Sequence, residues 1–167
     1  GHLALNLMQQ GRLLEAELTG REALRKMLRY AGKYTPATVR VLGHLATVIE
    51  AQGRHEDAQS LLRIAIDTYQ KIGMPSGSMM VEDVRFKLGE TYVSLENWPA
   101  AIKQFDLAER NMAPQIAVYN KWLSDGVSVP LALIKIGKVR EAATLLRKLH
   151  TTDATRLGIK HYRTAQK

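Results

Sequence analysis

The apolar residues of this chain recur at helical spacing. Leu42, Leu45, Ala46 and Ile49 fall three or four positions apart and mark one face of a helix. Ala58, Leu61, Leu62, Ala65 and Ile66 mark the face of the next. Gly53 breaks the first of these helices, and Glu56 and Asp57 suit the positive end of the second. Upstream, Thr35 is the expected N-cap, with Pro36 at the first helical position, where a missing N–H costs nothing. The pattern describes two antiparallel helices whose apolar faces need a neighbour to be buried.

That unit repeats. Gly1-His2-Leu3-Ala4 returns as Gly43-His44-Leu45-Ala46, and Gln10-Gly11-Arg12 as Gln52-Gly53-Arg54, both 42 residues on. Ala16 and Ala23 map onto Ala58 and Ala65 at the same shift. A third copy carries Leu88-Gly89, Tyr92, Asn97-Trp98, Ala101, Phe105 and Ala108, and a fourth carries Gly137-Lys138-Val139, Ala142 and Leu146. The connector at Gly32–Thr38 is echoed at Gly158–Thr164, a shift of three periods. One spacing shared by independent features defines a repeat array. The expectation is an all-α chain, an α-solenoid of helix pairs, with units at 1–34, 35–75, 76–113 and 114–152 and the start of a fifth at 153–167. It reads as a window on a longer array. Alanines and Gly89 are placed where helices about 8–10 Å apart must cross.

The fourth unit departs from the pattern, because Pro130 stands where the others have Ala4, Ala46 and Gly89. A proline inside a helix costs roughly 3 kcal/mol. The spacing therefore predicts a short extra helix from Pro114 to Leu123 at the edge of the array. A turn through Ser124-Asp125-Gly126 follows, and a new helix with Ser128 as N-cap and Pro130 in its first turn.

Composition narrows the function. With 46% apolar residues the chain is not disordered, and without cysteine it has no disulfide, thiolate nucleophile or cysteine-bound metal. No apolar run approaches the roughly 18 residues of a membrane span, and no charged-then-apolar leader opens the chain. A cytoplasmic location is the expectation. Phosphate loops, metal-binding HExxH pairs and nucleophile elbows are absent. His2 and His44 share a repeat position and are expected one repeat apart, too far for one metal ion with ligands near 2 Å. His55 reads as a satisfied structural histidine, and His150 and His161 as solvated. Hence no catalytic residue, metal site or cofactor is assigned, and the chain is expected not to be an enzyme.

The pattern Leu-Ala…Gly-Arg…Glu-Ala…Ala-Leu resembles the tetratricopeptide repeat. Its 42-residue period is similar to the long repeats of kinesin light chains and of bacterial arrays beside caspase-like CHAT protease domains. The family's early tryptophan is missing, and Leu149 replaces the last small residue of the fourth unit. The resemblance implies a right-handed superhelix whose first helices line a concave surface for a peptide or partner protein, as a scaffold or a sensing arm. The outward stripe of those helices supplies the candidate site: His2, Asn6 and Gln9; Arg40, His44, Thr47 and Glu50; Asp83, Phe86, Lys87, Glu90 and Val93. Phe86 is an aromatic anchor if exposed, and a packing residue if not. At the positions of the family's chaperone-binding carboxylate clamp stand Gly1, Leu5, His44, Asp83 and Lys87, only the last of them basic, which argues against that ligand. A row of His2, His44, Lys87 and Ser128 replaces the usual asparagines, and its histidines would respond to pH between about 5 and 8.

The net charge of +8 opens one competing reading. Residues 1–40 carry +4, 41–134 carry −3 and 135–167 carry +7, the last through Lys135, Lys138, Arg140, Arg147, Lys148, Arg156, Lys160, Arg163 and Lys167. A basic end can meet phosphates, yet no aromatic interleaving or base-reading motif accompanies it. Peptide or protein binding is therefore favoured, ahead of self-association into a homo-oligomer and of nucleic-acid binding.

Overall fold

The computed structural model describes residues 2–124 and 126–157, with Ser124 and the last seven of these as backbone only. Every regular element among them is helical: α1 His2–Gln9, α2 Leu13–Tyr30, α3 Pro36–Ala51, α4 His55–Lys71, α5 Met79–Ser94 and α6 Trp98–Asn111. A 3-10 turn at Ala113–Gln115 leads into α7 Ile116–Ser124, followed by α8 Ser128–Lys135 and α9 Val139–Leu157. The helices pack in consecutive pairs, α1 with α2, α3 with α4, α5 with α6 and α8 with α9, and α2, α4 and α6 also pack on the first helix of the next pair.

One turn joins each pair, and it occurs four times. A residue in the left-handed region ends each first helix: Gly11 (φ 76°), Gly53 (φ 77°), Glu96 (φ 55°) and Gly137 (φ 83°). The following N–H reaches back to the helix, from Arg12 to Leu7, Arg54 to Ile49, Asn97 to Tyr92 and Lys138 to Leu133. This satisfies carbonyls that the helix leaves free. The turn forces the chain back antiparallel within two residues, so pairing is encoded locally. Glu96 is the exception, since a side chain in that region is disfavoured.

Caps behave as the residue types require. Thr35 Oγ1 accepts from Thr38 N at 3.2 Å with Pro36 in the first turn of α3, Ser78 Oγ accepts from Val81 N, and Asn97 Oδ1 from Ala100 N. Ala16, Ala58, Ala101 and Ala142, all at 0–1% exposure, sit where the paired helices cross. Gly89 is there for the same reason, because a Cβ on it would lie 2.5 Å from the Phe105 ring.

Helix α5 lies inside the array, touching α3, α4, α6 and α8. It buries Val81, Glu82, Val84, Phe86, Leu88, Gly89 and Thr91 on several faces at once. Glu82 is fully buried and satisfied: it accepts from Gly77 N at 3.3 Å, Asn111 Nδ2 at 3.0 Å and Arg85 Nε at 2.9 Å. A buried carboxylate persists only with such donors, and this one ties the connector before α5 to the end of α6.

The fourth pair is broken where Pro130 required it, with two corrections. Val127 occupies the cap position and Ser128 is already helical, with no side-chain cap; Pro130 stays in the first turn, where its lost N–H is harmless. The preceding short helix is not an edge element. Tyr119 (2% exposed) and Leu123 (4%) of α7 enter the core formed by Phe86, Phe105 and Val129, and Tyr119 Oη donates to Phe105 O at 3.2 Å. Residues 153–157, expected to start a fifth unit, continue α9 and are described only as backbone, Arg156 among them; the rest of that unit, with the connector echo at 158–164, Lys160, His161, Arg163 and Lys167, lies outside the described residues, as does Asp125.

Candidate functional site: the concave groove

Because every second helix packs behind its partner, the first helices α1, α3, α5 and α8 stand side by side. Between α3 and α5 they leave a pocket of about 290 Å³. Gly43 and Val84 form its floor, and Arg40, His44, Asp83 and Lys87 stand along it. A Cβ on Gly43 would meet Val84 Cγ2 at 3.6 Å, so the glycine leaves open space rather than relieving a clash. Tyr69 from α4, Met79 and Met80 at the start of α5, and Trp122 from α7 close the pocket. The result is an apolar recess with cations at its rim.

Its electrostatics differ from those of free side chains. Lys87 Nζ is bound to Asp83 Oδ2 at 2.6 Å, while the exposed Arg40 has no ion pair among the described residues. The ring of His2 lies 5.5 Å from that of His44, so one repeat of sequence does not hold these rings apart: side chains from adjacent first helices span the gap. Among the described residues no group of three or more potential metal-binding His, Asp or Glu side chains forms. Burial, followed by the charges of Lys87, His2 and Arg40, pulls the His44 pKa down to about 4. His44 is therefore neutral at physiological pH, and the response between pH 5 and 8 expected of it does not arise there. Its Nδ1 is buried without a partner.

Farther along the groove the sign reverses. Burial, followed by Asp83 and Glu50, holds the Glu90 carboxyl up at about 7 against the opposing effect of Lys87. Glu50 Oε1 pairs with His55 Nδ1 at 2.8 Å, giving His55 the partner its structural reading called for. Thr47 Oγ1 returns to its own helix at Gly43 O.

The structure gathers Arg40, His44, Asp83 and Lys87 about one recess with His2 beside it, and sets Glu50 near Glu90. The rest lie elsewhere. Asn6 and Gln9 are exposed on α1, where Asn6 bonds Gln10. Val93 packs against the core. Phe86 is only 7% exposed, with its ring 5.1 Å from Phe105, 6.0 Å from Tyr119 and 5.7 Å from Trp122. It packs beneath the groove and presents no free ring to it. Tyr69, Met79, Met80 and Trp122 were missed by reading only the outward stripe of each first helix. Two adjacent methionines after a capping serine, and a tryptophan in the irregular unit, were the available signals.

Helix pairs in series, with first helices flanking a recess, define an α-solenoid. Residues 1–71 match the family model of the tetratricopeptide repeat, and the fold of the described residues is that of a tetratricopeptide-repeat solenoid. Two crystal structures of nearly identical tetratricopeptide-like repeats, from a protein described as a kinesin light chain of Podosopora anserina, superpose with a TM-score of 0.78 at 18% identity. This chain is covered to 94% and 92%, and theirs to 74% and 73%. BtubC (BKLC) from P. vanneervenii gives a TM-score of 0.78 at 17% identity, over 93% of this chain and 62% of its own. No curated protein sequence matches the chain. Tetratricopeptide repeats generally mediate protein–protein interaction and are typically non-catalytic scaffolds.

Proposed function

We propose that this array is a non-catalytic scaffold that holds a segment of a partner polypeptide in the recess between α3 and α5. The pocket of about 290 Å³ carries the reading. Methionine and tryptophan walls adapt to an inserted side chain and bury its apolar surface. Arg40, without an ion pair among the described residues, supplies a directional donor to the backbone or a polar group of the same segment. Lys87, already neutralised by Asp83, contributes less.

Selection from a random peptide display library tests this. Selected peptides should bind wild type and lose at least about tenfold in affinity, or 1.4 kcal/mol, when Gly43→Leu fills the recess. Arg40→Ala should weaken them as well, with an unchanged melting temperature in each case. Failure to select any peptide, or peptides that bind Gly43→Leu as well as wild type, would overturn the reading.

A further inference from the structure

Helices α3 and α5 begin with equivalent caps and different residues behind them. Thr35 and Ser78 cap in the same way, each side chain accepting from the N–H three residues on. Helix α3 then opens with Pro36-Ala37, and α5 opens with Met79-Met80. A helix start of this kind therefore does not require two long apolar side chains. Ser78 Oγ accepts from Val81 N at 3.3 Å and Ser78 O from Glu82 N at 3.1 Å, so neither methionine side chain takes part in the cap. What the two side chains do is wall the recess, together with Tyr69 and Trp122.

They wall it from an exposed position. Met79 is 52% exposed and Met80 45%. Met112 is buried in the core, and Met8, Met27 and Met74 are half-buried, Met8 and Met74 against core clusters. Helix α5 is not an end of the array, since α3 and α4 pack before it and α6 and α8 after it. Two sulfurs open to solvent thus line the one recess that the first helices leave between α3 and α5.

We propose that Met79 and Met80 form an oxidation site through which hydrogen peroxide shuts the recess; the effect on binding rests on the reading of the recess as a peptide site. A lone pair of the thioether sulfur attacks one oxygen of the peroxide. The S–O bond forms as the O–O bond breaks, and the proton of the transferred oxygen passes to the departing one, which leaves as water. Sulfur is oxidised by two electrons and the peroxide is reduced by two. Each sulfoxide turns a flexible apolar wall into a polar one. An apolar side chain entering the recess would then cut the S–O dipole off from water without giving it a partner, which opposes binding. The cap and the core use neither sulfur, so the fold is retained.

The test treats the full chain with dilute hydrogen peroxide, maps the oxidised methionines by peptide mass spectrometry, and measures affinity for the peptides selected on the untreated chain. Met79 and Met80 should gain oxygen before the other methionines, with unchanged helicity, and affinity should fall in step by at least about tenfold. The double variant Met79→Leu, Met80→Leu keeps the wall apolar and removes both sulfurs. It should bind close to wild type and keep its affinity through the same treatment. If no peptide is selected, or Gly43→Leu binds as wild type does, the peptide-site reading fails and this proposal with it. Where that reading holds, earlier oxidation of the other methionines, full affinity with both sulfoxides formed, or an equal loss in the double variant would each overturn the oxidation site alone.

Discussion

The second and fourth helical pairs were built from one pattern and ended differently. In the second, Thr35 caps a single 16-residue helix that runs unbroken to the Gly53 turn. In the fourth, the corresponding stretch is a 3-10 turn, α7, a break and the short α8, with no side-chain cap. Yet Gly137 makes the same turn as Gly53, and Ala142 is buried at the same crossing as Ala58. A unit therefore keeps its place through its turn and its crossing residue, while the front half of its first helix is free to diverge. That freedom has a consequence at the groove. The divergent half is what brings Trp122 to the recess and Tyr119 beneath it.

The largest test removes the anchor of the divergent half. Tyr119→Ala should lower stability by about 3–5 kcal/mol in urea unfolding, as large-to-small core changes do, and should strip the recess of its Trp122 wall. If α7 were an edge element the loss would stay within about 0.5 kcal/mol. A second test concerns the crossing position. Gly89→Ala should cost about 1–3 kcal/mol through overpacking against Phe105, while Gly43→Ala, with an ordinary contact to Val84, should be neutral or stabilising by up to about 1 kcal/mol; the same unfolding curves separate them.

Smaller effects sharpen the turn and the groove. Glu96→Gly restores the residue type found at 11, 53 and 137 and should stabilise by about 1 kcal/mol. The groove adds a pH signature. Glu90, raised to about 7 from 4.5, favours folding fully below about 4.5 and loses that contribution as pH rises through 7. His44, lowered to about 4 from 6.5, contributes fully above 6.5 and loses it as pH falls through 4. The two slopes oppose each other in wild type. Glu90→Gln should leave only the second, so that its stability rises from pH 4 to 6.5 and then stays level. Unfolding midpoints across that range check it, and a decline toward pH 7 in the variant would contradict the assignment.

The helix pairs were legible because their determinants are local. A glycine at φ near +77°, a threonine before a proline, and alanines at one spacing each act within a few residues. The recess was legible only in part. Arg40, His44, Asp83 and Lys87 follow from helical periodicity on α3 and α5, since both helices are continuous there. Phe86 fell on the same stripe but is covered by Tyr119 and Trp122, whose helix has no regular counterpart in the other pairs. Likewise His2 and His44 are 42 positions apart in sequence and side by side in space, because stacking sets distances between units that periodicity does not contain.

By itself the sequence determined the secondary structure, the antiparallel pairing and the stacking order, for these follow from turn chemistry and from apolar faces that must be buried. It also determined the break before Pro130, because no helix interior accepts a missing N–H without loss. Tertiary structure alone decided which outward residues remain accessible, since that depends on how far one helix bends over its neighbour. It decided the charge states of His44 and Glu90 as well, because a pKa answers to burial and to charges brought near from other helices.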